Sequence, residues 1–458
     1  MDHTTELLSA YACKLTYEEL PPEVVHQVKR TLIDTLGCAL GGFHAEPAVI
    51  ARRLAQRVTC TTPARILGTT GTSAPDLAGF ANGVMVRYLD YNDSYFSPGG
   101  GHPSDMIPAV LALADPLGSD GRTVITAIVL AYEVFCRLSD QVVAGELGWD
   151  QGIFSVIGAA CAAGKVLGLD RQAMGQAISL AVVPNLPLGV TRVGELAMWK
   201  GCAAASATRA GIFAAQLAQQ GMTGPAEPFE GRKGLWEQAV GKPVQLARFG
   251  GVGGNGGNGE PLRITSTIFK AFPSQIHTQG PISLALQLRS RVAPAEIATL
   301  RLRAYRSAVS SAATEPEKWA PQTRETADHS IPYLVATAFH EGNITPSSFT
   351  NARLQDAAVH ALMARMAIEE EADFTRRFPE EYHCRMEVTT TSGQRLEAAT
   401  AYPPGHWRQP LSDADVAGKF RRLAAGVLPE QQGASALELL WSLDQLPNLQ
   451  ALFDSLVV

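Results

Sequence analysis

The chain has 458 residues with a formal net charge of −6, 46% hydrophobic and 18% charged residues, enough length for a large buried core and more than one unit of fold. Lys and Arg are scattered, with no run that would track a phosphate backbone, which argues against a nucleic-acid partner. No stretch of about 18 uninterrupted apolar residues occurs, so no membrane span is expected, and the N-terminal MDHTTELLSAYACKLTYEEL, acidic and without a long apolar core, makes the cytoplasm the default location.

Residues 20–240 read as successive helices. In VVHQVKRTLIDTLGCALGG the apolar positions recur at three- and four-residue spacing and stop at Gly41 and Gly42. Then comes YLDYNDSYFSPGGGHPSDMIPA, residues 88–109, where Asp90, Asp93, Ser94, His102, Ser104 and Asp105 surround three consecutive glycines directly before an apolar helical segment. A loop that only joins two helices needs no such set, whereas a loop that holds a polar ligand does. Helical patterns follow at 105–116, 123–145, 152–168 and 199–220. Several are rich in Ala and Gly and apolar on most faces, as in VIGAACAAGKVLGL, which suits central helices packed on all sides. Lys200, in MWKGCAAASATRAGIFAAQLAQQGMTGP, stands before a run with no acid through Gly224, so its anionic partner must come from elsewhere in the fold or from a ligand.

The helical period breaks at FGGVGGNGGNGEP, residues 249–261, where seven of thirteen residues are Gly, marking a loop or a domain boundary. Gly251, Gly253 and Gly256 formally match a dinucleotide fingerprint, but the NGEPLRITST that follows has no helical pattern to present an N-terminus to a pyrophosphate. Next, FKAFPSQIHTQGPI sets Lys270 and His277 on either side of Pro273, an arrangement suited to an anion. EIATLRLRAY alternates like a strand, and helical stretches lie near 328–341 and 353–370. Asp328 and His329 of RETADHSIPY precede the first of these, where Asp328 reads as a helix-start residue. CRMEVTTTSGQRLEAATAY reads as two strands around a Ser392-Gly393 turn. Residues 267–400 thus form a small α+β unit, after which DADVAGKFRRLAAG and ALELLWSLDQLPNLQALF return to helix. The seven cysteines, Cys13, Cys38, Cys60, Cys136, Cys161, Cys202 and Cys384, carry no zinc or iron–sulfur spacing and read as buried thiols.

Six segments in this order, LDYNDSY with GHPSDMIPA, GWDQGIFSVIGAACAAGKVLGL, MWKGCAA, FEGRKGLWEQAVG, KAFPSQIHTQGPI and TRETADHSIPYLVATAF, resemble the 2-methylcitrate dehydratase (MmgE/PrpD) family over residues 5–400. MWKG and TADHSIPY are closer to its dehydratase branch than to its cis-aconitate decarboxylase or iminodisuccinate epimerase branches. The resemblance implies a mainly α fold, with a large all-helical domain from residues 1–262 and the C-terminal helices 403–458, and a smaller α+β lid domain, 263–402, inserted between them. It further implies a homodimer, no cofactor and no metal, and a site between the domains for a small di- or tricarboxylate. Carried over position by position, the family's pattern makes Asp90, His102, Lys200 and His277 catalytic and Ser94, Gln151 and Lys270 substrate-binding. The loop glycines would let backbone N–H groups approach the substrate, and the following helix start would favour an anion.

Two positions depart from the family pattern. Ser94 stands where Thr is common and keeps the hydroxyl; Gln151 stands where dehydratase-like members often have His, and an amide does not shuttle protons near neutral pH. Dehydration removes a proton beside a carboxylate, so Lys200 and Lys270 are expected to meet the growing negative charge. Asp90 or His277 would take the proton, and His102 would protonate the leaving hydroxyl. The implied activity is cofactor-independent dehydration of 2-methylcitrate or a related hydroxy polycarboxylate. The alternatives are epimerisation of a small dicarboxylate, decarboxylation of a cis-aconitate-type acid, and carboxylate binding without catalysis. Replacing either lysine is expected to cost no ion pair, and the two are expected to meet only when a lid closes.

Overall fold

The computed structural model describes residues 1–251 and 260–458. Most of the Gly-rich stretch, and with it the fingerprint's Gly253 and Gly256, lies outside the described residues.

The fold is mainly α. Its first half is built from α1 (His3–Lys14), α2 (Pro22–Gly41), α3 (Glu46–Ala55), α4 (Pro75–Tyr88), α5 (Ile107–Ala114), α6 (Gly121–Gln141), α7 (Gly152–Val166), α8 (Arg171–Val182) and α9 (Ala203–Gln219). Local chemistry sets the starts. The side chains of Asp2, Asp120 and Asp170 accept from Thr5, Thr123 and Ala173 N–H to cap α1, α6 and α8, and Pro occupies the first turn of α2 to α5. Every residue of α7 except Lys165 is buried. A Cβ on Gly211 of α9 would come within 2.7 Å of the Ala159 Cβ of α7, so the small residues that mark these helices in the sequence are what lets them touch.

The second half carries a four-stranded sheet. Before it in the chain come two short antiparallel pairs, β1 (Ala64–Arg65) with β2 (Thr72–Ser73) and β3 (Tyr95–Phe96) with β4 (Gly100–Gly101). In the larger sheet β5 (Ile297–Ala304) runs parallel to β6 (Met366–Glu370) and antiparallel to β7 (Cys384–Thr390), which pairs antiparallel with β8 (Arg395–Thr400). The turn between β7 and β8 contains Gly393 at φ +85°, the left-handed conformation such a turn needs. The helical stretch expected at 353–370 is corrected: helix Ala357–Met363 gives way to β6.

Buried apolar side chains form two large clusters. One draws on the first-half helices, Phe249, Leu262, Ile264 and Phe269, and resumes from Val416 to Leu456; the other surrounds the sheet, from Ile268 to Ala398. The helix Asp413–Ala424 packs on α2. Of the cysteines, Cys13 and Cys60 are half-buried and the other five buried. Among the described residues, no helix is long and apolar enough to cross a membrane.

Candidate active site

The loop after α4 meets the start of the sheet-bearing half through backbone bonds: Ser94 N–H donates to Ile268 O at 2.9 Å, and Ile268 N–H returns to Ser94 O at 2.7 Å. That bridge brings Lys270 beside Asp90. Asp90 sits at φ +50° just past α4, a left-handed conformation that Asp tolerates better than most residues. Arg87 Nη1 donates to Asp90 Oδ1 at 2.7 Å. Lys270 Nζ donates to the Asp90 carbonyl at 2.8 Å and to its Oδ1. From the turn before α9, Lys200 Nζ lies 3.4 Å from Asp90 Oδ2 and donates to both oxygens of Asp328, at 2.6 and 2.8 Å. Arg324 adds a 3.3 Å contact to Asp328.

Arg87, Asp90, Lys200, Lys270 and Asp328 are all buried. Burial pushes the Asp90 carboxyl upward, but Arg87, Lys270 and Lys200 together outweigh it and hold the group well below the usual carboxylate range. Burial lowers Lys270 to about 8 against the pull of Asp90, and lowers Lys200 against Asp328 and Asp90. Four cations, counting Arg324, thus face two ionised carboxylates. Asp105, 3.7 Å from Arg87, is raised by burial to about 7; even counted as ionised it makes only three carboxylates against four cations. The centre carries a positive excess in a poorly solvated place, where an anion is attracted most strongly.

Three histidines keep slight exposure where the charged core has almost none: His102 8%, His277 7% and His329 6%. His102 Nδ1 lies 2.7 Å from the Asp93 carbonyl and 3.1 Å from Ser94 Oγ. A carbonyl only accepts, so Nδ1 carries the proton and Nε2, 3.9 Å from Asp90 Oδ1, is the free lone pair of the neutral ring. Burial first, then Arg87 and Lys270, lower this imidazole well below its usual value. His329 Nδ1 meets Asp328 Oδ1 at 2.6 Å, and its Nε2 faces Asp90 Oδ2 at 3.5 Å. His277 stands apart from the ion pairs: its Nδ1 lies 2.7 Å from Tyr305 OH, among the rings of Phe96, Phe378 and Tyr382. Burial, with His329 and Lys270 adding to it, lowers His277 to about 3.

Gln151 Oε1 accepts from His102 N–H at 2.8 Å, and its Nε2 donates to Asp105 Oδ2 at 3.0 Å, so it braces the loop from behind His102. The role expected of the glycines and the helix start is corrected by the same geometry. A Cβ on Gly101 would stand 1.8 Å from Gln151 Oε1, and one on Gly99 2.3 Å from Val142 O, so both positions are glycine because other protein groups fill the space. The amides at the turn before α5 are also occupied: Ser104 N–H donates to Asp93 Oδ1 at 3.1 Å, and Asp105 N–H to His102 O at 3.0 Å.

The structure also overturns both expectations about the lysines: each is already ion-paired, and they meet at Asp90 without any further closure. Asp328 is no helix-start residue, because Ser330 caps the helix Ile331–Glu341 through Tyr333 N–H. The quoted DHS triplet held the signal, with Ser the better cap. Lys419 was not foreseen. Reaching in from the helix Asp413–Ala424, its Nζ pairs with Asp34 at 2.7 Å and donates to the carbonyls of Tyr91 and Lys270, at 2.6 and 3.0 Å. It thereby fixes the residue after Asp90 and Lys270 itself. Asp90, Asp328 and His329 together have the donor set of a cation site. The Lys200 ammonium stands among them, 3.4 Å from His329 Nδ1 as well, so a metal ion there would have to displace it.

Comparison with known proteins adds independent findings. A family model described as the MmgE/PrpD N-terminal domain matches residues 6–246, and one described as the MmgE/PrpD C-terminal domain matches residues 272–445. The chain is 26% identical over 431 residues to a mitochondrial 2-methylcitrate dehydratase of Yarrowia lipolytica, covering 87% of this chain and 80% of that protein. It is 26% identical over 455 residues to the 2-methylcitrate dehydratase of Escherichia coli K12, covering 90% and 88%. It is 24% identical over 461 residues to the human cis-aconitate decarboxylase, covering 98% and 93%.

Proposed function

Because the chain belongs to the MmgE/PrpD family, we propose that it is a cofactor-independent lyase that dehydrates 2-methylcitrate or a related hydroxy polycarboxylate. The observation that carries this reading is the excess of buried cations around Asp90. Substrate carboxylates supply the missing negative charge, and Lys200, Lys270 and Arg87 are in place as more charge spreads from the breaking C–H bond onto the neighbouring carboxylate. His102, with Nε2 free, takes that proton, the reverse of the acid role expected from the sequence. The C–H electron pair becomes the double bond, the C–O bond breaks, and the Lys270 ammonium, acidified to about 8, protonates the departing hydroxyl to water. One proton is gained at His102 and one lost at Lys270, so the net charge of the site is unchanged across the step. Ser94 and Gln151 hold His102, and His277, which keeps slight exposure, contacts the substrate.

The two apolar clusters support a helical body, 1–262 with 403–458, and an α+β lid, 263–402, with the site between them, although Ile264 and Phe269 at the start of that lid pack with the body. A homodimer in the cytoplasm completes the reading, supported by a row of exposed apolar side chains, Leu188, Val190, Val193 and Trp199, just before Lys200.

The test is a panel of citrate, 2-methylcitrate and related hydroxy acids, incubated with EDTA-treated protein. The expected result is the ultraviolet absorbance of a new conjugated double bond, unaffected by the chelator. Ligand-induced stabilisation with no product would support the carboxylate-binding alternative, and activity lost to EDTA and restored by a metal would refute cofactor independence.

A further inference from the structure

We propose that the cavity between the helix Asp413–Ala424 and the sheet-bearing half is a second ligand site, separate from the Asp90 centre, which takes a small carboxylate with an aliphatic chain and ties the two halves together while it is occupied.

The cavity measures about 370 Å³, within the range of small-molecule sites. Its walls come from both halves. Tyr91, Lys419, Arg422 and Leu423 stand on one side, and Ala271 with the loop from Asn343 to Pro346 on the other. Leu423 and Tyr91 belong to a small apolar cluster with Cys38 and Leu89, whereas Ile344 belongs to the cluster around the sheet. The cavity is the gap left where these two sets of side chains do not close on each other. Its buried wall is fixed: the Tyr91 hydroxyl donates to the Ala271 carbonyl at 2.6 Å, and Lys419 Nζ lies 3.7 Å from the centre of the Tyr91 ring.

The lining selects the chemistry. The Lys419 ammonium directs its three N–H groups to Asp34 and to the carbonyls of Tyr91 and Lys270, so it has none left for a ligand. Arg422 is different, because it is exposed and, among the described residues, no carboxylate pairs with it. Asn343 Oδ1 accepts from Ile344 N–H at 2.8 Å, and its Nδ2 has no partner among the described residues. No Asp or Glu among the described residues lines the cavity. Donors without a facing acid call for an anionic acceptor, and the guanidinium fork matches the two oxygens of a carboxylate. The rest of the wall, from Ala271, Ile344, Pro346, Leu423 and Val427, is apolar and fits an aliphatic chain. Tyr91 and Lys419 also hold the backbone on which Asp90 and Lys270 stand. An occupant joining Arg422 to the loop at Asn343 therefore restrains the opening through which the nearly closed Asp90 centre exchanges substrate and product.

Octanoate is the probe, titrated into the full chain by calorimetry. The wild type is expected to bind it, and to bind inorganic phosphate, which has no chain, and 1-octanol, which has no charge, at least tenfold more weakly. Arg422→Gln should weaken octanoate binding roughly tenfold or more, the weight of a charge-assisted hydrogen bond. Ala425→Trp, at an exposed position of the lining, should block it by filling the space. No binding by the wild type, equal affinity for either control, or binding that neither substitution changes overturns the proposal. In saturating octanoate, turnover of 2-methylcitrate should show a lower kcat without a higher KM; a higher KM alone would mean competition at the Asp90 centre and would also overturn it. Octanoate binding that depends on Arg422 in a protein that dehydrates no hydroxy acid would refute the lyase reading and leave this site standing.

Discussion

Lys200 has two acids around its ammonium, and this decides what its loss costs. Lys200→Met leaves the buried charges of Asp328 and Asp90 without their nearest shared cation, and breaking a buried pair from one side costs roughly 3–5 kcal/mol. Urea unfolding should show a loss of that order, and a smaller one when Lys200→Met is made in an Asp328→Asn background, since the stranded charge is then gone as well. Equal unfolding midpoints for wild type and Lys200→Met would contradict the ion pairing. Lys270 carries a pH signature. Burial lowers it to about 8, so its proton is present below that pH and lost above it; turnover that needs Lys270 as an acid should fall as pH rises through about 8. In Lys270→Arg, whose guanidinium keeps the charge but gives up no proton, turnover should fall roughly a hundredfold and the residual rate should lack that limb. Individual residue types were legible in the sequence, but their pairings were not: Lys200 finds Asp328 across 128 residues, and no local pattern encodes such a partner.

The loop from Tyr88 to Met106 works as one element because its glycines let it fold against α6 and α7. Gly101→Ala would drive a Cβ into Gln151 Oε1, displacing the amide from His102 N–H and Asp105. Overpacking of this kind costs roughly 1–3 kcal/mol. Thermal unfolding should show that loss in Gly101→Ala and recover part of it in Gly101→Ala combined with Gln151→Ala, where Phe135 Cζ, 2.9 Å from the same Cβ, still crowds it; no recovery would mean that the two positions are independent. Long apolar helices could be read from their periodicity, as α6, α7 and α9 show. The strand β6 could not. It is the edge of the sheet, with only Met366 and Ile368 half-buried against the core and the other three residues exposed, so its alternation is too short to mark a strand, and its parallel partner β5 lies more than 60 residues earlier.

At the scale of the molecule, the helix Asp413–Ala424 returns to α2 and delivers Lys419 to the backbone on which Asp90 and Lys270 stand. The sequence shows the return to helix after residue 412 but not the residue that reaches the site. The proposed homodimer has its own test. Val190 is 72% exposed and Trp199 52%, a cost that a second copy would offset. Light scattering should give about twice the 48.8 kDa chain mass, and Val190→Asp with Val193→Asp should give the monomer; a monomeric wild type would refute the dimer.

The central claim is that chemistry takes place at the Asp90 centre. Its most direct test is the catalytic efficiency of Asp90→Asn on 2-methylcitrate, measured beside a circular dichroism spectrum. The substitution keeps the shape of the side chain and removes the charge that Arg87, Lys200 and Lys270 share. With the wild type active and the variant's spectrum unchanged, efficiency should fall roughly a thousandfold or more, since about 1.4 kcal/mol corresponds to each decade. An Asp90→Asn variant as active as the wild type would place the reaction elsewhere in the molecule.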